Sequence, residues 1–208
     1  MFSVKPGFTT ISPMHGVVAS FDREGRLFSF IEDGRTYRRT LASAVAVRWR
    51  EDERQRGQLS TEEAKMVFAR ALQAAASVRP KATGELQQRL DEEILRWTPD
   101  ELLAESERFA RVYKPISILP PDQYLSVVLQ ATEGCTWNQC TFCTFYQDRP
   151  FRVKSEDEFR DHIDAVKQFF GRGILMRKSV FLADGNALAL SQRRLLPLME
   201  LTRSALPG

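Results

Sequence analysis

The length, composition and charge of the chain are those of an ordinary soluble globular protein. Of its 208 residues, 43% are hydrophobic and 27% charged, which excludes disordered and collagen-like classes. The formal net charge of +3 does not indicate a nucleic acid or an anionic membrane as a partner. The sequence offers neither the ~18 consecutive apolar residues of a membrane-spanning helix nor a secretory signal. It therefore predicts a cytoplasmic protein with no membrane partner.

The first fifty residues favour β-structure. Val17–Phe21 and Leu27–Ile31 are apolar runs of strand length bordered by turn signals, and together they predict a β-hairpin. The mixed-charge stretch at 48–57 alternates in sign. We interpret it as a solvated helix end and linker rather than as a nucleic-acid patch.

Three helices are predicted next. The patterns at 60–63 and 98–101 are capping boxes, in which a Ser or Thr and an acidic residue three positions on satisfy free amides at a helix start. A further helix is expected over about 85–97 from its apolar spacing. Residues 1–115 are therefore predicted to form a small N-terminal α+β accessory region.

The sequence pattern changes after residue 115. The Pro-rich segment 116–122 is interpreted as a linker. Residues 123–208 then have a βα rhythm, with apolar strands predicted at Leu125–Leu129 and Ser179–Ala183 and a helix that begins at a third capping box, Ser155 with Glu158.

All three cysteines of the chain, Cys135, Cys140 and Cys143, lie within nine residues. A disulfide framework needs pairs spread along the chain, so it does not explain this cluster. The loop follows the C-terminal end of a predicted strand, where α/β folds place their sites. Thiolates suit zinc or an iron–sulfur cluster. A zinc site would take His162 or His15 as its fourth ligand, although unpaired histidines of this kind are more often surface residues.

The segment Glu133–Cys143 resembles the cluster loop of the radical S-adenosylmethionine (SAM) enzymes, in a variant with four residues between the first two cysteines. The resemblance implies a [4Fe-4S] cluster held by three cysteines, with SAM chelated at the open iron. It also implies that Phe142 lies beside the adenine of SAM. The segment after the second strand would meet the SAM amino group. The site residues so implied are Cys135, Cys140 and Cys143 for the metal and Phe142, Asp184, Gly185 and Asn186 for the cofactor.

The resemblance also implies an activity and a fold. The activity is reductive cleavage of SAM to a 5′-deoxyadenosyl radical, which abstracts hydrogen from an unknown substrate. An electron donor such as flavodoxin or ferredoxin is then a partner. The fold class would be α/β, the start of a partial (βα) barrel with about two βα units in residues 123–208, and the chain would be an N-terminal portion of such an enzyme. The alternative is a non-catalytic zinc- or cluster-binding interaction module.

Two further groups of side chains surround the cysteines. Four aromatic residues are placed to exclude water from a bound cluster, and three cations could offset its charge but are expected to be solvated. They are Trp137, Phe142, Phe145 and Tyr146, and Arg149, Arg152 and Lys154.

Overall fold

A computed structural model of the chain describes residues 1–115, 119–185 and 187–206. Its internal contacts divide the chain into two units. The N-terminal unit comprises Met1–Phe109 and Gly171–Met176, and the C-terminal unit comprises Ala110–Phe170 and Arg177–Gly208. None of the helices in the described ranges is long and apolar enough to cross a membrane.

The N-terminal unit is built on a seven-stranded antiparallel sheet in which each strand pairs with the next one along the chain. Side chains alternate between its two faces: in the sixth strand Val45 and Val47 are buried, whereas Arg48 and Arg50 are exposed. One face therefore contributes to the core and the other meets solvent. The strands are β1 (Phe2–Val4), β2 (Phe8–Ile11), β3 (Val18–Asp22), β4 (Leu27–Glu32), β5 (Arg35–Arg39), β6 (Val45–Arg50) and β7 (Arg54–Gln58).

Helices cover the inner face of this sheet. Helix α1 (Thr61–Val78) begins at the predicted capping box, in which Ser60 and Glu63 satisfy each other's backbone amides. Its apolar side packs against β2, β3 and β4. Burial of Phe68 alone contributes about 1.5–3 kcal/mol. The helices that follow are α2 (Gly84–Arg89), which continues as a π-helical turn (Leu90–Ile94), and α3 (Pro99–Val112).

In the C-terminal unit, two strands pair in parallel. Strands β8 (Ser126–Gln130) and β11 (Ser179–Ala183) lie side by side in parallel, with helix α4 (Glu156–Phe170) between them in the chain. Every residue of β8 is buried, as its continuous apolar run predicts. The remaining elements are the short antiparallel pair β9 (Thr132–Glu133) and β10 (Arg152–Val153), and helix α5 (Gln192–Ala205).

The predicted fold class, the start of a radical SAM partial barrel preceded by a small α+β region, is wrong. The largest sheet is the seven-stranded antiparallel one, and the chain is a mixed α/β protein with a β-rich N-terminal part. Within the described ranges, parallel pairing is confined to β8 and β11, which form a sheet of two strands. The sequence predicted only one hairpin in residues 1–58, because most of the strands there are short or carry few apolar residues.

The mixed-charge stretch at 48–57 also differs from the prediction, because it is a β-hairpin and not a helix end with a linker. Arg48 pairs with Arg56 across β6 and β7, and Arg50 pairs with Arg54. The acidic residues 51–53 occupy the connection between the strands. The two-residue period of the strands therefore places these four arginines on one side of the hairpin.

Candidate functional site

The three cysteines lie on a loop of residues 134–151, hereafter the cysteine loop, whose two ends are held together by β9 and β10. Glu133 and Arg152 are cross-strand partners at this neck. Two hydrogen bonds of 3.0 Å run from the Arg152 guanidinium to the Glu133 carboxylate. Lys154 adds a third at 3.2 Å. A charge-assisted network thus closes the loop at its base.

Electrostatics at the neck favour the ionised carboxylate. Burial raises the pKa of Glu133, but hydrogen bonds from Arg152 and Lys154 outweigh it and hold the pKa below its ordinary value. Burial lowers the pKa of Lys154, while Glu133 acts in the opposite direction. Lys154 is therefore an enclosed ion-pair partner and not the solvated cation expected from the sequence, whereas Arg152 is about half exposed.

The cysteine side chains are all free and half-buried. The Cys143 amide donates to the Cys140 carbonyl at 3.4 Å, so these two residues flank a tight turn whose ends lie within about 7 Å. Cys135 lies at the other end of the loop, beside Gly185. Across residues 1–115, 119–185 and 187–206, no three Cys, His, Asp or Glu side chains are grouped closely enough to hold a metal ion. The structure therefore pairs Cys140 with Cys143 but does not assemble all three thiols.

Asp184, at the end of β11, ties the cysteine loop to the parallel strands. Its side chain is almost fully buried. The Tyr146 hydroxyl donates to one carboxylate oxygen. The other oxygen accepts from Gln130 Nε2 at 3.2 Å and from Arg149 Nη2 at 3.3 Å. The backbone of Asp184 also pairs with the Thr132 hydroxyl. Through its carboxylate and its backbone, this one residue thus joins the ends of β8, β9 and β11 to the loop.

Arg149 completes this network. Its side chain is only 10% exposed, contrary to the expectation that it would be solvated. Nη2 donates to the Pro115 carbonyl at 2.7 Å and Nη1 to Asp148 at 2.8 Å, and the guanidinium lies over the Tyr146 ring at 5.2 Å. Arg149 is thus an enclosed cation at the base of the loop, and its charge is balanced by Asp148 and Asp184.

The predicted cofactor residues fall in different environments. The Asp184 carboxylate accepts hydrogen bonds from Tyr146, Gln130 and Arg149, so within this structure it anchors the cysteine loop. Gly185 approaches the Gly134 carbonyl so closely that an added Cβ would lie 2.0 Å from that oxygen. Phe142 is 89% exposed at the turn between Cys140 and Cys143. Asn186 lies outside the described residues.

The aromatic residues of the loop divide in the same way. Tyr146 is buried, whereas Trp137, Phe142 and Phe145 are at least half exposed. In this structure, three of the four rings therefore do not shield the cysteines from water. The anchoring groups Gln130 and Thr132 were not singled out from the sequence, and Tyr146 was predicted only as an aromatic residue that excludes water. The available signal was a pair of polar residues, Gln130 and Thr132, at the end of an otherwise apolar strand.

His162 is buried on the inner face of α4, although it was expected at the surface. Its Nε2 accepts the backbone amide of Gln130 at 3.0 Å, and its ring meets the Tyr113 ring edge-on. Burial, with a smaller effect of Lys154, lowers the pKa of His162 to about 4. The neutral ring therefore supports β8, and a zinc ion could use Nε2 only by breaking that hydrogen bond.

Acidification from about pH 7.5 to about pH 5 is expected to cost the C-terminal unit about 2 kcal/mol through His162. The folded-state pKa of about 4 lies below the ordinary 6.5, so the unfolded chain binds the proton first. The contribution of the neutral His162 ring to the unfolding free energy is complete above about pH 6.5 and is lost as the pH falls toward 4. Urea unfolding at the two pH values measures it.

The matched control for this titration is His162→Gln, which offers an acceptor near the position of Nε2 and does not titrate in this range. The difference in unfolding free energy between the two pH values should shrink in the variant by about the same 2 kcal/mol. An unchanged difference would contradict the assignment to His162.

A separate cavity of about 560 Å³ lies in the C-terminal unit between the starts of α4 and α5. Its wall carries cations, Lys154, Arg193 and Arg194, together with the carboxylates of Glu156 and Glu158. The size suits a small molecule. The mixed charge selects no ligand class, and none of the predicted site residues lines it.

Comparisons with protein-family models, with curated proteins and with solved structures found no match. Among the features of this chain, the cysteine loop therefore carries the functional inference.

Proposed function

We propose that this chain is a radical SAM enzyme, or part of one, that binds a [4Fe-4S] cluster through Cys135, Cys140 and Cys143 and SAM at the remaining iron. The observation that carries the proposal is three free, half-buried thiols on one loop with a fixed base. When bound, the cluster and SAM supply one-electron cleavage of the sulfonium to methionine and a 5′-deoxyadenosyl radical, which takes a hydrogen atom from the substrate.

The donor set suits such a cluster. A [4Fe-4S] cluster is normally held by four thiolates, and the chain has three cysteines, so one iron stays open for SAM. His162 is not a ready substitute for the fourth ligand because its Nε2 is hydrogen-bonded to Gln130. The thiols must be deprotonated to bind iron.

Cluster binding requires the three sulfurs to converge. Cys140 and Cys143 are already paired by a turn, so the change falls on the part of the loop between Cys135 and Cys140. Thr136, Trp137 and Gln139 are exposed there, whereas Asn138 Nδ2 donates to the Tyr146 carbonyl at 2.9 Å, a hydrogen bond that the movement must keep or break. Coupling of metal binding to local folding is common. The anchored base limits the rearrangement to this segment.

Other residues position the groups that react. The exposed Phe142 ring offers a flat face on which the adenine of SAM can stack, an interaction worth about 1–3 kcal/mol for a base on an aromatic ring. Asp184 is a positioning residue that acts through Tyr146 and Arg149. A reduced flavodoxin or ferredoxin delivers the electron, and the substrate is not identified by any of these residues.

Anaerobic reconstitution with iron and sulfide tests the proposal. The wild-type protein should gain thiolate-to-iron absorbance and bind about four irons per chain. With reductant and SAM it should then release 5′-deoxyadenosine. Each single Cys→Ala variant should lose cluster and product together. Thr141→Ala, an exposed loop change between two of the cysteines, should keep both.

Two results would contradict the proposal. Stoichiometric zinc in protein purified without air, with no response to SAM, would identify a non-catalytic metal-binding module instead. A cluster that forms equally well in the Cys→Ala variants would remove the cysteine loop from the site.

A further inference from the structure

The outer side of the N-terminal sheet carries a concentrated positive surface. Five arginines from three adjacent strands point to this side: they alternate with buried neighbours in β5 and β6, and the strand register aligns them with those of β7. All five are exposed. We call this surface the arginine face. Its members are Arg38, Arg48, Arg50, Arg54 and Arg56.

The positive charges of this surface are not paired with carboxylates. Within the described part of the chain, none of the five arginines forms an ion pair. The acidic residues nearest in sequence lie in the β6–β7 connection, and the Glu51 carboxylate accepts a hydrogen bond from the Trp49 indole at 3.2 Å. Trp49 alternates with Arg48 and Arg50 and so lies on the opposite side of the sheet. The Glu51 carboxylate is thus held on the side of the sheet opposite the arginine face.

Like charges in this arrangement repel one another. Arg48 lies directly opposite Arg56, and Arg50 opposite Arg54, which destabilises an antiparallel pair. Burial, and then the charge of Arg48, lower the pKa of the Arg38 guanidinium. An anion bound across the strands would relieve this repulsion.

We propose that the arginine face binds the phosphate backbone of a single-stranded nucleic acid. The guanidinium fork matches phosphate oxygens in a bidentate manner, and the surface consists of arginine without lysine. Residues two apart in a strand are separated by about 6.6–6.8 Å and neighbouring strands by about 4.8 Å. The result is a flat grid of donors suited to a flexible polyanion.

An anionic membrane is the competing occupant. Proteins that bind at a membrane interface usually insert bulky apolar side chains next to their cations. Among the described residues, the large exposed hydrophobic side chains all lie outside β5, β6 and β7, and Ile31 of the adjoining β4, in line with Arg48 through Thr36, is only 36% exposed. The arginine face therefore fits a phosphodiester chain better than a lipid surface.

The whole-chain charge of +3 does not reveal this surface, because acidic residues elsewhere offset it. Binding should be weak at physiological salt and strongly dependent on ionic strength. With five phosphate contacts, the logarithmic salt slope for a single strand is about −3.5, or an affinity loss of about 100-fold between about 50 mM and 200 mM salt. RNA and DNA share the backbone chemistry, so both are used as probes.

Fluorescence anisotropy with the full chain and labelled single-stranded RNA or DNA tests the proposal. Arg48→Gln/Arg56→Gln should weaken binding and reduce the salt slope by about 1.4. The matched control Arg193→Gln/Arg194→Gln removes the same charge from exposed positions of α5, and it should bind as the wild type does. Arg48→Lys/Arg56→Lys should keep most of the slope, because it retains the charge.

Circular dichroism and thermal melting establish that the variants fold, as expected for exposed residues without ion pairs. Three outcomes would overturn the proposal. The first is that neither oligonucleotide binds the wild-type chain. The second is equal weakening in the β6–β7 variant and the α5 control, which would indicate a response to net charge alone. The third is binding through the arginine face to phosphatidylserine vesicles but not to nucleic acid.

Discussion

Replacement of Asp184 by alanine is expected to lower the unfolding free energy of the C-terminal unit by about 3 kcal/mol, because it leaves buried partners without their carboxylate. The Asp184 side chain is 1% exposed and lies 3.3 Å from Arg149. It also accepts from Tyr146 and Gln130. The value lies at the low end of the range for a broken buried ion pair, since Arg149 keeps Asp148 and the Pro115 carbonyl. Urea unfolding measures the change.

Asp148→Ala is the matched control for this prediction. It removes the other carboxylate bound to Arg149, but the Asp148 side chain is 60% exposed. The expected cost is therefore at most about 1 kcal/mol. Equal costs in the two variants would show that burial of Asp184 does not set the strength of the network. Asp184→Ala should also impair cluster reconstitution, since Tyr146 and Arg149 no longer hold the loop.

The sequence was most informative where structure is local. All three capping boxes are confirmed: Ser60 with Glu63, Thr98 with Glu101 and Ser155 with Glu158 each form the expected backbone hydrogen bonds. Each box joins residues three positions apart, so its geometry depends little on the rest of the fold. The strand at Ser179–Ala183 is confirmed for a related reason, since its apolar run is short, continuous and followed by Asp-Gly.

The sequence was least informative where a strand consists of charged and polar residues. Strand β7 is exposed along its whole length and shows no alternation of apolar and polar residues. Its arginines were therefore predicted to belong to a linker. The prediction for His162 was wrong in the opposite way, because a residue expected at the surface is buried. Charged neighbours in α4 suggested a solvent-facing position, yet the histidine turns inward to Gln130 of β8, a contact between residues 32 positions apart in sequence.

The candidate site shows the same division. The spacing of the cysteines is a local pattern and was visible at once. The anchor was not, because Asp184 is separated from Tyr146 by 38 residues and from Gln130 by 54. Hydrogen bonds over such separations depend on how the strands pair. A sequence pattern can therefore propose the ligands of a cluster but not the framework that holds their loop.

Gly134→Ala is expected to disturb the cysteine loop at its base. Gly134 has a φ of +72°, and an added Cβ would lie 2.5 Å from the Pro150 carbonyl oxygen. The left-handed backbone costs a non-glycine residue about 1–2 kcal/mol, and the clash adds to it by pushing the β9–β10 neck apart. Because the other contact atoms are backbone atoms of Pro150 and Phe151, a side-chain rotation cannot relieve it.

Gly34→Ala separates the backbone strain from the steric clash. Gly34 has nearly the same φ, +71°, but an added Cβ meets nothing within 4 Å. It should cost only the backbone strain of about 1–2 kcal/mol, whereas Gly134→Ala should cost clearly more. Amide hydrogen exchange of residues 132–153 should rise in Gly134→Ala and stay unchanged in Gly34→Ala. Iron uptake should fall in the first variant alone, and equal behaviour of both would show that close packing at Gly134 does not hold the loop in place.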